Sequence, residues 1–173
     1  PDGAHYYTLS LRQFTTTGYA PDEVHQLGLA EVTRITAEMD AILKAQGLVK
    51  GTVGERVAAL GKDPKYLYPD TDEGRAQVLD EYRRILKEVN ARMHEFFNTV
   101  PPGELKVERV PPSGEKGSAG AYYQQAARDG SRPGTFFANL RDLSETPKWA
   151  MKTLAYHEGI PGHHFQISIA QNL

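Results

Sequence analysis

Cysteine is absent from the 173 residues. That excludes a disulfide framework and a thiolate metal site, so any metal must be held by histidine and carboxylate. No apolar run approaches the roughly 18 residues of a membrane span. A surplus of positive charge is missing too. The formal net charge is -2, whereas a surface that tracks phosphates usually makes a domain basic, so nucleic acid is not an expected partner. The first residue is Pro1 rather than methionine, and no signal-peptide pattern follows it. Ile167 to Leu173 reads as an apolar helix that stops without glycine, proline or a basic last turn. Both ends therefore read as cuts from a longer protein, and the compartment, exported or cytoplasmic, stays open. What is present is ordinary. A hydrophobic share of 39% and a charged share of 24% fit a globular chain, and this length suits one domain with at most a second small lobe.

Helical signals dominate the first hundred residues. Ala4 to Phe14 is amphipathic. Pro21-Asp22-Glu23 opens a long helix, with proline in the first turn and acids at its positive end. Leu29, Val32, Ile35, Met39 and Ile42 recur on it at steps of three and four, which predicts a core-facing stripe, and Gly47 ends it. A short helix is expected from Val53 to Leu60 and a loop from Gly61 to Pro69. Asp70 and Glu73 have capping-box spacing. They introduce the clearest stripe of the chain, formed by Val78, Tyr82, Ile85, Val89, Met93 and Phe96. Val100-Pro101-Pro102-Gly103 breaks this pattern. Beyond it the period shortens: Leu105 to Arg109, Ala119 to Gln125 and Thr135 to Leu140 read as strands. The polar turn from Arg128 to Gly134 joins the last two in a small antiparallel hairpin or three-stranded sheet. Thr146 and Pro147 have the signature of a new helix start, running through Trp149 and Leu154. The expected fold is mainly α (α+β), a single fragment with a helical part over residues 1–100, a small antiparallel β part over 101–145 and a motif helix over 146–173.

That last helix leads into Tyr156-His157-Glu158-Gly159-Ile160-Pro161-Gly162-His163-His164-Phe165-Gln166, where three of the six histidines fall. Imidazole is the usual neutral zinc ligand, and an adjacent carboxylate can take a proton from metal-activated water. In the common His-Glu-x-x-His helix the second histidine comes one turn after the first. Here that position is Pro161. On a straight helix His164 lies about 20° from His157 in phase and His163 about 120° away, so phase favours His164. Pro161 and Gly162 should break the helix, however, and a looped-out Gly159 to Gly162 would swing His163 into place. Spacing alone leaves both open.

The same residues, with Thr15-Thr16-Thr17, His25 to Val32, Ala121-Tyr122-Tyr123 and Arg132 to Leu140, resemble the bacterial family catalogued as domain of unknown function 885. That family stands among zincin-like (gluzincin-type) metallopeptidases. The resemblance implies a helical zincin-like catalytic region with a small sheet beside the motif helix. It makes His157 a zinc ligand, Glu158 the general base and His163 the second ligand, with His164 as alternative or supporting contact. The third ligand of relatives, a glutamate on a later helix, lies beyond Leu173. Zinc is therefore expected in the full-length protein but weakly held or absent here, with Glu31 or Glu38 as the first suspects should a third ligand lie within the chain. Thr135 to Asn139 looks like the edge strand that pairs with an extended peptide. Phe137, Ala138, Asn139 and Tyr123 would thus contact substrate, and Tyr122 or Tyr123 could supply an oxyanion donor. His25, near a helix start, is expected to cap it.

The function these readings support is zinc-dependent peptide-bond hydrolysis by the full-length protein, with the fragment itself inactive. The alternative is a non-catalytic peptide-binding or structural helical module. Phe165, Ile167, Ile169 and Leu173 should form an exposed apolar face, which predicts self-association through the C-terminal helix.

Overall fold

The computed structural model describes residues 2–171. The chain divides into two compact units, Pro1–Ala58 and Ala59–Leu173. Six α-helices and three strands form among the described residues. They are α1 (Gly3–Thr15), α2 (Pro21–Ala45), α3 (Val53–Lys62), α4 (Asp72–Asn90), β1 (Leu105–Arg109), β2 (Ala121–Gln124), β3 (Gly134–Ala138), α5 (Met151–Glu158) and α6 (His163–Gln171). The fold is mainly helical with a small sheet, as the sequence implied.

In the first unit α2 starts where expected, but His25 does not cap it. Ala20 occupies the cap position, and its backbone N–H donates to the Glu23 carboxylate at 2.7 Å. The stripe along α2 is exposed rather than core-facing: Leu29, Val32, Ile35, Met39 and Ile42 all lie open. A period of 3.6 marks a face that packs, and nothing among the described residues covers this one. Polar chemistry joins α2 to α3. The buried Arg56 guanidinium donates to Asp40 Oδ1 at 2.5 Å, to the Leu48 carbonyl at 2.9 Å and to the Thr52 carbonyl at 3.2 Å.

The second unit holds the core. Val78, Tyr82, Ile85 and Leu86 of α4 are buried against the sheet and α5. The Tyr82 ring meets Phe136 of β3 edge to face, with centroids 4.9 Å apart. This aromatic pair, together with the packing of α4 on β1, seats the helix on the sheet. The N-cap is Thr71, whose hydroxyl accepts from Gly74 N–H at 3.1 Å. The expected capping box at Asp70 and Glu73 is not the one used, because Asp70 pairs with Arg75 at 2.5 Å. The helix ends at Asn90, so the stripe is cut short. Met93 is still buried from a 3-10 turn, but Phe96 is exposed.

The sheet is mixed, in the order β1-β3-β2. β2 and β3 form the predicted antiparallel hairpin, Tyr123 opposite Phe136. β1 runs parallel to β3, Val107 opposite Phe136. A wholly antiparallel sheet is thereby corrected. The chain passes from β1 to the far edge before returning through the middle, so β3 leaves in the direction of β1. Being central and covered on both faces, β3 is an almost unbroken buried run rather than an alternating one.

α5 begins at Met151, later than the Thr146-Pro147 signature implied. The Lys148 N–H donates to the Tyr66 carbonyl at 2.8 Å, which ties this segment to the turn at Pro64–Tyr66 and delays the helix. α6 also differs from expectation. Phe165 is buried and rests on Phe97, with ring centroids 4.7 Å apart, and Ile169 packs on the core. The argument for self-association through this helix loses its exposed face; Leu173 lies outside the described residues.

One buried ion pair gives this unit a pH dependence. Arg109 at the end of β1 grips Glu115 with two hydrogen bonds of 2.6 and 3.0 Å. These bonds hold the Glu115 carboxyl below its ordinary value of about 4.3, although burial pushes the other way. A depressed folded value means the pair stabilises the fold above the unfolded value and loses that contribution as pH falls through the folded one. Glu115→Gln should therefore lower stability at neutral pH and make the fall in Tm below about pH 4.3 shallower. Thermal unfolding across that range checks it, and an unchanged acid slope would rule the pair out as its source.

Candidate metal and catalytic site

The last turn of α5 carries His157 and Glu158, and the first turn of α6 carries His163 and His164. Between them Gly159 to Gly162 is looped out, with Ile160–Pro161 in the cis form. Two glycines make this loop possible. A Cβ on Gly159 would lie 2.4 Å from Leu86 Cδ2 and 2.8 Å from the Ala155 carbonyl oxygen. A Cβ on Gly162 would lie 1.9 Å from the His157 carbonyl oxygen and 2.3 Å from that of Tyr156. The loop thus folds directly onto the C-terminal carbonyls of α5. Gly159 and Gly162 carbonyls then accept from His164 and Gln166 N–H at 3.2 and 3.0 Å, which starts α6.

This break brings His163 to His157. Their rings meet edge to face with centroids 4.8 Å apart. Straight-helix phase would have selected His164, but that histidine points elsewhere. It is buried, and its Nδ1 shares a 3.0 Å hydrogen bond with the Tyr123 hydroxyl. Burial lowers the His164 pKa, which keeps the imidazole neutral. Burial likewise pushes the Tyr123 phenol up, while contacts with Ser168, the Ala126 backbone and Arg132 pull it back. Gly134 leaves the room for this pair, since a Cβ there would sit 2.3 Å from the Tyr123 oxygen and 2.8 Å from His164 Nδ1.

Glu158 is buried next to the exposed His157. An open groove of about 560 Å³ runs along α5, lined by Trp149, Ala150, Thr153, Leu154, His157 and Glu158. Trp149, with half its surface exposed, was legible only as a helix residue. It lies in the turn that precedes α5, while Thr153 and His157, four apart on that helix, share one face.

The strand residues fare differently. β3 pairs on both sides, so its backbone has no free edge for an extended peptide, and the edge-strand reading of Thr135 to Asn139 is corrected. The edges of this sheet are β1 and β2. Phe137 is half-buried and stacks on Tyr122, centroids 5.0 Å apart. Ala138 is buried in the core. Asn139 is a buried clamp: its amide nitrogen lies 2.8 Å from the Glu115 carbonyl oxygen, with Ser118 and Ala119 carbonyls as further acceptors, and its Oδ1 accepts from Arg141 N–H. Tyr123 faces His164 rather than the His157–His163 pair.

The donor set can be compared with the group it suggests. Two imidazoles in contact, one of them next in the chain to a buried carboxylate that no described cation neutralises, have the ligand chemistry of a zinc-type site. Two protein ligands are not a complete site. Among the described residues no group of three histidines or carboxylates is placed to hold a metal ion. Glu31 and Glu38, the suspects within the chain, each pair with Arg34 at 2.6 Å.

Over residues 1–173 the chain matches a family described as bacterial protein of unknown function (DUF885). It is similar to a solved structure described as "the putative lipoprotein from Colwellia psychrerythraea", with 42% sequence identity and a TM-score of 0.94. The match covers 99% of this chain but 29% of that one, so the chain spans under a third of that protein's length. No curated protein matches.

Proposed function

We propose that this chain, which belongs to the DUF885 family, contributes two zinc ligands and the general base of a metal-dependent peptidase whose remaining parts lie elsewhere in the full-length protein. The observation that carries the reading is the contact of His157 with His163 across a helix break, with the next residue, Glu158, buried. His157 and His163 would hold the ion. Zinc, when bound, supplies Lewis acidity that lowers the pKa of a water towards about 7.

The work of the chain's own residues follows from their positions. The Glu158 carboxylate accepts the proton of the attacking water and later returns it to the leaving amine. It forms no hydrogen bond or ion pair among the described residues, so no structural partner holds it away from a water. The groove along α5 orients the substrate, with Trp149 as an exposed aromatic wall. Because β3 is enclosed, an extended peptide would pair instead with β2, an edge of the sheet that packs on α5. The third ligand comes from outside this chain, in keeping with the longer similar protein.

The test is hydrolysis of a mixed peptide library by the full-length protein, followed by product mass, before and after removal of metal with a chelator. Cleavage that stops on chelation and returns with zinc is the expected result. Peptides bound without cleavage in zinc-loaded protein would leave a binding module in place of the enzyme.

A further inference from the structure

On the other flank of the motif lies a cavity of about 450 Å³, separate from the groove along α5. Its floor includes His164 and Ser168, both buried on α6, and its walls carry Lys106, Arg128 and Arg132 with Glu104 as the acid among them. Three cations against one acid stand out in a chain whose formal net charge is -2. Local acids do not cancel them. The Asp129 carboxylate next to Arg128 is taken by Ser131, which donates to it from its backbone at 3.0 Å and its hydroxyl at 2.6 Å. Lys106 and Arg128 have no acid partner among the described residues. One Arg132 Nη donates to the Gln125 carbonyl at 2.9 Å, which holds that side chain in place with donors left over.

A concave site that gathers three guanidinium and ammonium groups against one carboxylate suits an anion that accepts from several at once. Its position gives the anion an identity. The floor residue His164 shares the first turn of α6 with His163, so the cavity adjoins the helix turn that carries one of the proposed ligands. The anion a peptide can offer there is a carboxylate.

We propose that this cavity is a substrate subsite for a carboxylate of the peptide, either its free C-terminus or an acidic side chain near the cleaved bond. The proposal rests on the peptidase reading for its substrate class. Lys106, Arg128 and Arg132 are specificity residues and take no part in bond breaking.

The test uses full-length protein carrying Glu158→Gln, so that binding is read without turnover. Four dye-labelled peptides are compared by fluorescence anisotropy. Two are tetra-alanine with a free carboxylate or an amide end. Two are amide-ended alanine peptides with one internal glutamate or glutamine. One charged peptide is expected to bind at least about tenfold more tightly than its neutral partner. The combined Lys106→Gln, Arg128→Gln, Arg132→Gln variant should erase that preference at unchanged Tm, with neutral peptides held within about twofold. Preference for the free end assigns the terminal carboxylate; preference for internal glutamate assigns the side chain. Equal binding of charged and neutral peptides, binding of none, or a preference that survives in the triple variant overturns the subsite. If wild-type protein fails to cleave while the charge preference holds, it is the hydrolysis reading that falls.

Discussion

Glu158→Gln in the full-length protein is expected to lower peptide hydrolysis by about 10²- to 10⁴-fold, the range a positioned general base contributes. Zinc content should stay close to wild type. The two expectations separate because the carboxylate and the imidazoles have different tasks. His157 and His163 touch each other and would supply the nitrogen donors, whereas Glu158, the chain neighbour of His157, is buried without a cation or hydrogen-bond partner among the described residues. Glutamine keeps the volume and the burial but cannot accept a proton. Turnover and metal content are measured on the same preparation. Wild-type turnover removes Glu158 from its role, and loss of zinc along with turnover would make it a ligand.

Gly162→Ala should be the most damaging small substitution in the motif. The added methyl would lie 1.9 Å from the His157 carbonyl oxygen and 2.3 Å from that of Tyr156. Both are backbone atoms of the helix that carries His157, so no side chain can swing away. Either α5 and α6 separate at this point, which parts His163 from His157, or the loop reorganises. A stability loss of about 2–3 kcal/mol is expected from such overpacking. Zinc affinity should fall on the order of 10- to 100-fold, as when the support of a metal ligand is disturbed. Gly120→Ala is the control, since a methyl there meets nothing within 4 Å. Unchanged zinc affinity in Gly162→Ala, with the control also unchanged, would mean that the close fold of the loop does not position His163.

How far this was legible in the sequence depended on whether a signal was local. The Pro-Gly interruption is local, and it correctly pointed to a looped-out segment. The hairpin of β2 and β3 was readable because Asp129-Gly130 and Pro133-Gly134 mark its turn. The parallel pairing of β1 was not, because strand order is set by contacts across some thirty residues, and short runs such as Leu105 to Arg109 carry no mark of their neighbour. That error hid the central position of β3 and so placed a free strand edge where β3 has none. The stripe on α2 was read correctly as apolar, yet periodicity shows which face is meant to pack and never what covers it. Tyr123 was read as a substrate contact, and its bond to His164 was not anticipated. Its hydrogen bond to His164 depends on the missing side chain of Gly134, and an absence of atoms at a position far along the chain leaves no pattern to find.

The choice between His163 and His164 shows why the structure was needed. Straight-helix phase joins His157 to His164 and the resemblance ranks His163 first; the fold of Gly159 to Gly162 onto α5 brings His163, not His164, to His157. The central claim is therefore that His157 and His163 are metal ligands and His164 is not. A crystal structure of the full-length protein grown with zinc, with anomalous difference maps on either side of the zinc absorption edge, tests it most directly. The expected result is one zinc peak bonded to both His157 and His163 and to a carboxylate from outside residues 1–173, with His164 still on Tyr123. A peak bonded to His164 instead of His163, or zinc bound only away from both, would contradict it.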